Sequence, residues 1–175
     1  MYTNIIICVL GILVNTFGCA FNLFMLNISG CVLCAIAAFR LKSQSSLLKK
    51  VKTYSVLSIP GAVFAFLLTL VKIDDMIMLY CVSLGINTFF FIYFTYYLTS
   101  MLIDHAKGIN ELAATRNLLS VWILCGIVSF LYFMAFSSSL IPGIMNIAKI
   151  ILLVAVLYYA FAVTTAAKTL FPKEK

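Results

Sequence analysis

The chain has 175 residues, of which 65% are hydrophobic and only 10% are charged, against roughly half and a quarter in soluble domains. The formal net charge is +7, but the basic residues stand in short segments between apolar runs, a pattern that indicates membrane topology. Composition therefore excludes a soluble globular domain, a disordered tail and a nucleic-acid-binding module. We expect an all-α, polytopic helical membrane protein in which residues 1–175 form a single transmembrane domain.

The first apolar run, residues 4–39, carries no charged side chain. As one helix it would be about 54 Å long, well beyond a hydrocarbon core of about 30 Å. Turn-forming residues cluster between Asn22 and Gly30 and predict a tight turn that divides the run into two helices. A single tilted or broken helix here, which gives five spans in total, is the alternative. No Lys or Arg precedes the run, so we expect residues 1–25 to belong to the mature protein rather than to a cleaved signal peptide.

Four further apolar runs follow, and each is long enough for a single span of about 20 residues. The prediction is therefore six transmembrane helices arranged as three hairpins. The spans are predicted near 4–21, 29–41, 54–72, 76–103, 118–136 and 144–167. Polar linkers are predicted near 42–53 and 104–117, followed by a short tail at 168–175.

The distribution of Lys and Arg predicts the orientation. Of the twelve, ten lie in residues 40–52, 104–117 and the tail, which fall on one side of the membrane for either number of spans. Cytoplasmic loops carry the excess of Lys and Arg, so six spans place both termini in the cytoplasm.

The basic segment 40–52 has a helical pattern of its own. Leu41, Leu48 and Val51 recur at helical spacing among lysines, which predicts a short amphipathic helix on the inner leaflet, attracted to anionic lipid. The predicted lipid contacts are Arg40, Lys42, Lys49, Lys50 and Lys52.

Residues 5–60 resemble a family of small, uncharacterised multi-pass membrane proteins of Firmicutes. The resemblance is carried by Asn22–Leu23, by the segment 27–30 (NISG) and by the Leu-, Ser- and Lys-containing stretch 41–50. Family members usually have a Pro-Asp pair in the first turn, where this chain has Leu26–Asn27. The resemblance implies an initial hairpin and a bacterial cytoplasmic membrane, and it implies no activity.

Polar residues inside the spans are the candidates for a ligand or ion pathway. Lys149 follows the Pro142–Gly143 break by six residues, about 9 Å down a helix, where a lysine is costly unless it snorkels or faces a polar cavity. Asn146, Asn87 and Asn15 are its predicted partners, although interhelical hydrogen bonding alone also accounts for such residues.

Catalytic or cofactor chemistry finds little support in the sequence. Cys31 and Cys34 form a CxxC, but both lie in an apolar stretch, whereas redox cysteines need exposed, activated thiolates. Asp104 and His105 provide too few ligands for a closed zinc site. The sequence contains no P-loop, no dinucleotide-binding glycine pattern and no nucleophile elbow. We expect no metal or other cofactor, and an enzyme is the less supported class.

Two functional hypotheses of different class remain. The first is a small transporter or channel-like protein, or the membrane subunit of one, indicated by Lys149, the intramembrane asparagines and a weak repeat at an offset of 65 residues that aligns Gly61 with Gly126. Transporter folds often contain such repeats. The second is a non-catalytic scaffold or regulatory subunit, with a membrane-protein partner or a second copy of the chain bound within the bilayer.

Overall fold

The computed structural model describes residues 1–42, 45–71, 77–137 and 142–171. Over these residues the chain is all-helical, which confirms the predicted fold class. The α-helices are α1 (Tyr2–Ala20), α2 (Phe24–Arg40), α3 (Leu48–Val71), α4 (Ile77–Gly108), α5 (Leu118–Ser137) and α6 (Pro142–Leu170). A short 3₁₀ helix, Leu112–Thr115, precedes α5.

Five of these helices, α1 and α3 to α6, contain stretches long and apolar enough to cross a membrane. Helix α2 has 17 residues, which corresponds to about 26 Å and to the lower end of the length that spans a bilayer. Because α1 and α2 are separate helices packed against each other, the first apolar run is a hairpin and not one broken helix.

The turn of this first hairpin is much shorter than predicted. Asn22 adopts a left-handed conformation with φ 56°, and the amide of Leu23 donates to the carbonyl of Gly18 at 2.8 Å, which is the pattern of a Schellman helix end. Helix α2 begins at Phe24, so Asn27 and Gly30 are helical instead of lying in the turn. Both residues are buried, and packing against α1 overrides their turn preference.

The prediction of a short amphipathic helix on the membrane surface is also wrong. Helix α3 is continuous from Leu48 into the membrane-spanning stretch, so Lys49, Lys50 and Lys52 lie in its first turns. Leu41 is 2% exposed and Val51 is fully buried. The apolar residues of this pattern therefore belong to the protein core and do not lie on a lipid surface.

Helix α4 extends beyond the predicted span and ends at Gly108. Asn110 has φ 58°, and the amide of Glu111 donates to the carbonyl of Ala106 at 2.9 Å, which repeats the helix ending seen after α1. Helix therefore occupies part of both predicted linkers, near 42–53 and 104–117, because α3 begins at Leu48 and α4 ends at Gly108.

The six helices are arranged as a closed ring. Each helix packs against its neighbours along the chain, and α6 returns to pack against α1. All eight described basic residues other than Lys149 lie near the ends of helices on one side of this ring, which we call the basic end. They are Arg40, Lys42, Lys49, Lys50, Lys52, Lys107, Arg116 and Lys168.

The weak sequence repeat does not correspond to matched environments. A Cβ added to Gly61 would lie 3.1 Å from the Cα of Asn87 on the neighbouring helix, whereas one added to Gly126 would meet only the Trp122 ring, at 3.8 Å. The aligned serines also differ, because Ser55 is fully buried and Ser120 is exposed. The repeat therefore carries no argument for function.

Candidate functional site

Buried amide side chains meet between α1 and α2, towards the end of the bundle opposite the basic end. Asn15 is 1% exposed and Asn27 is 4% exposed. The side-chain amide of Asn27 donates to the side-chain oxygen of Asn15, and the thiol of Cys31 lies 3.5 Å from the same oxygen. Each amide therefore finds a polar partner inside a region that lipid surrounds.

Asn87 brings α3 and α4 into the same cluster. Its side-chain amide donates to the carbonyl of Ser58 at 3.0 Å and lies 3.5 Å from the sulfur of Cys31. One turn earlier on α4, the hydroxyl of Ser83 donates to the carbonyl of Gly61 at 2.7 Å. Two side chains of α4 thus hydrogen-bond the backbone of α3 on either side of Pro60.

Glycines on the opposing helices allow the asparagines to come this close. Added Cβ atoms on Gly18 and Gly30 would lie 2.8 Å from the Cα of Asn27 and 2.6 Å from the Cα of Asn15, respectively. Gly61 makes a similar but less close approach to Asn87, whose Cα would lie 3.1 Å and whose backbone nitrogen would lie 2.8 Å from the added Cβ. Each buried asparagine therefore packs its backbone against a glycine of the next helix, which is how small residues bring membrane helices together.

A cavity of about 40 Å³ opens beside this cluster. It lies between α1, α4, α5 and α6, and Asn15 and Asn87 both contribute to its wall. On α5, the hydroxyl of Tyr132 donates to the carbonyl of Cys19 at 3.4 Å and closes one side. The lining residues that the structure describes are all uncharged: Asn15, Thr16, Cys19, Leu84, Asn87, Thr88, Phe91, Ile92, Ser129, Tyr132 and Leu152.

The structure brings together two of the four predicted pathway residues. Asn15 and Asn87 line the cavity, but Asn146 and Lys149 do not. Asn146 is exposed and Lys149 is half-buried, and the side chain of neither hydrogen-bonds within the part of the chain that the structure describes. The sequence analysis places Asn27 in a turn and so does not predict it as a site residue. In the structure Asn27 is on α2, seven residues before Cys34 and therefore on the same buried face.

A second polar network joins α4, α5 and α6 nearer the basic end. The fully buried hydroxyl of Tyr159 lies 2.9 Å from the hydroxyl of Thr99 and donates to the carbonyl of Thr95 at 3.1 Å. The indole of Trp122 donates to the hydroxyl of Thr95 at 3.2 Å. These bonds join side chains and backbone of α4, α5 and α6, so the network holds the three helices together.

The predicted lipid contacts lie at the basic end as exposed or half-buried side chains. Arg40, Lys42, Lys49 and Lys50 are exposed. The ammonium of Lys50 stands 5.0 Å above the ring of Tyr97, and that of half-buried Lys52 stands 5.8 Å from the ring of Phe39. Aromatic rings beside lysines are typical of a membrane interface.

The remaining candidates show no assembled chemistry. Cys31 and Cys34 are buried free thiols, Asp104 is exposed, and the His105 ring stacks on Phe171 at 4.5 Å. Across the described ranges, no three His, Cys, Asp or Glu side chains are grouped to hold a metal ion.

The fold and its neutral polar interior define the class of this protein as a multi-pass α-helical membrane protein. Comparisons with protein-family models, curated proteins and solved structures gave no match. The resemblance of residues 5–60 to the Firmicutes family therefore stays a prediction.

Proposed function

We propose that this protein is a small transport or channel-like membrane protein that passes a small, uncharged polar solute. The observation that carries this proposal is the convergence of amides, hydroxyls and a thiol on one cavity inside the bundle. Polar groups within membrane-spanning segments are costly and often mark a substrate path.

The chemistry of the cavity favours a neutral solute. Asn15 and Asn87 offer both donor and acceptor groups, and the hydroxyls of Thr88, Ser129 and Tyr132 can do the same. Because none of the described lining side chains carries a charge, recognition would depend on hydrogen bonds. About 40 Å³ is room for roughly two or three water-sized molecules, so a larger solute would need the helices to move.

Helix α3 offers a place for such movement. Pro60 lies inside it, and a proline removes one helical hydrogen bond and allows a bend. The carbonyls of Ser58 and Gly61 flank this point and accept bonds from Asn87 and Ser83 of α4. In this proposal, a solute that competes for Asn87 loosens α3 at Pro60.

The proposal is tested by solute flux into proteoliposomes, with water, urea and glycerol as probes and stopped-flow light scattering as the measurement. We expect flux above that of empty liposomes. Asn87→Leu and the isosteric Thr88→Val each remove a polar group from the cavity wall. A hydrogen bond in a membrane protein is worth about 0.6–1.7 kcal/mol, so we expect a roughly 3- to 20-fold lower flux.

Asn146→Leu is the matched control, because it removes an amide from an exposed position outside the cavity. Its flux should equal that of the parent protein. Flux no higher than in empty liposomes would contradict the proposal and favour the scaffold or regulatory role. Equal losses in Asn146→Leu and Thr88→Val would show that the cavity is not the path. Lys149→Ala, measured alongside, tests whether the predicted pathway extends to that residue.

A further inference from the structure

Two open grooves flank the beginning of α5 and meet at Arg116. The first, of about 260 Å³, runs between α5 and α6 and is walled by apolar side chains that include Val121 and Phe161. The second, of about 380 Å³, lies between the end of α4, the 3₁₀ helix and α5, and includes Ile103 and Leu119. Arg116 lines both grooves.

Within the described ranges, the guanidinium of Arg116 has no hydrogen bond or ion pair to any residue. The carboxylates described are Asp104 and Glu111, both of which are exposed, and neither pairs with Arg116. An arginine presents a planar set of donors that matches phosphate in a bidentate geometry. Among the described residues, Arg116 therefore offers a cation without a partner at the point where the two apolar grooves meet.

We propose that this site binds an anionic phospholipid, with its phosphate on Arg116 and one acyl chain in each groove. A diacyl phospholipid joins one negative phosphate to two apolar chains, and this is the arrangement that the grooves and Arg116 complement. Asn117 and Thr165 line the first groove beside Arg116 and provide hydrogen-bonding groups for the glycerol region. Phe161 is 69% exposed, so the groove wall is accessible to a chain from the bilayer.

Arg116 and two lysines outnumber the exposed carboxylates Asp104 and Glu111 at this end of the bundle, and this balance favours an anionic headgroup over a zwitterionic one. Lys107 and Lys168 are exposed at the same end of the bundle, and each basic side chain near an anionic surface adds to lipid attraction. A zwitterionic lipid carries its own cation and gains less from Arg116. The exposed lysines at the start of α3 offer only positive charge. The Arg116 site also offers two apolar grooves for the two acyl chains.

Native mass spectrometry of the detergent-solubilised full chain, titrated with phosphatidylglycerol or phosphatidylcholine, tests this inference. We expect one tightly held phosphatidylglycerol per chain and weaker retention of phosphatidylcholine. Arg116→Gln should weaken phosphatidylglycerol binding about five- to tenfold. Lys49→Gln, which removes an equally exposed charge outside the grooves, is the matched control and should change it by less than about twofold.

Ala113→Phe separates a lipid site from a bare phosphate site. Ala113 is exposed and lines both grooves, so a phenyl ring there blocks the acyl chains while Arg116 stays in place. We expect loss of the lipid adduct with unchanged thermal stability. The inference is overturned if glycerol phosphate alone binds as tightly as the lipid, or if Arg116→Gln and Lys49→Gln lose binding equally. A dimer or a bound protein that Ala113→Phe releases, in place of lipid, would overturn it as well.

Discussion

Gly30→Ala is the sharpest test of the packing that builds the polar cluster. The added methyl group would lie 2.6 Å from the Cα and 2.7 Å from the Cβ of Asn15, where ordinary contact begins at about 3.4 Å. Both atoms belong to the facing helix near its backbone, so no flexible side chain can move aside. Helices α1 and α2 must separate by about 0.8 Å at this point to relieve the contact, which is the difference between 3.4 Å and the 2.6 Å distance to the Cα.

The cost of this separation follows from three contributions. Overpacking of a well-packed interior costs about 1–3 kcal/mol. Weakening the hydrogen bond between Asn27 and Asn15 adds about 0.6 kcal/mol. Ala has a higher helix propensity than Gly, and this stabilises the variant by about 1 kcal/mol and offsets part of the cost. We therefore expect a net destabilisation of about 0.6–2.6 kcal/mol, which for a chain of this length lowers Tm by roughly 3–6 °C at the middle of the range.

Thiol exposure provides the assay. The six cysteines are free, and Cys8, Cys31, Cys34 and Cys125 are buried, so a fluorogenic maleimide reports unfolding during a thermal ramp in detergent. Gly126→Ala is the matched control, because its added methyl group would make only ordinary contact with Trp122 at 3.8 Å. We expect its Tm to be unchanged or higher. Equal Tm values for Gly30→Ala and the parent protein would refute the close approach of α1 and α2.

Three further predictions use neighbouring or opposed positions. Tyr159→Phe should lower Tm by roughly 1–3 °C, because it removes a buried hydroxyl worth about 0.6 kcal/mol. Tyr158→Phe, at an exposed position, should leave Tm unchanged. Equal Tm shifts in the two variants would contradict a stabilising role of the network around Tyr159. In a cysteine-free background, Leu23→Cys should react with a membrane-impermeant maleimide on intact cells. Ser46→Cys should react only after the membrane is permeabilised. The reverse result would contradict a cytoplasmic location of the basic end. Lys149→Ala should change Tm by less than about 1 °C, since a half-buried lysine without a described partner contributes little, and a larger fall would show that it has an interior partner.

Hydropathy and length were sufficient to predict the number of helices and their order. The first hairpin was predictable because one helix of residues 4–39 would exceed the membrane thickness, and Asn22 at the turn was correctly identified as a turn former. The exact extent of the turn was not predictable. Asn27 and Gly30 have turn propensity in isolation, and only their contacts with Gly18 and Asn15 across the hairpin keep them helical.

The candidate site was half predictable for a related reason. Asn15 and Asn87 stood out because amides are unusual in apolar runs, and they do share a cavity. Lys149 stood out for the same reason, yet the cavity does not reach it. Which polar residue faces the interior depends on the rotation of each helix. Lys149 and Asn146 lie on α6 in a stretch that is otherwise apolar, so the sequence shows no polar face from which that rotation could be predicted.

Packing and polarity are not independent in this protein. Lipid offers no hydrophobic force between helices, so their association depends on close backbone contact and on interhelical hydrogen bonds. The contacts of Gly18, Gly30 and Gly61 each involve a buried asparagine as well. Substituting Asn15 or Asn87 therefore changes both the helix interface and the cavity wall. Thr88 lines the cavity but faces none of the added glycine Cβ positions. Thr88→Val consequently removes a polar group from the cavity wall without separating the helices. If this variant loses flux while its Tm is unchanged, the transport takes place through the cavity.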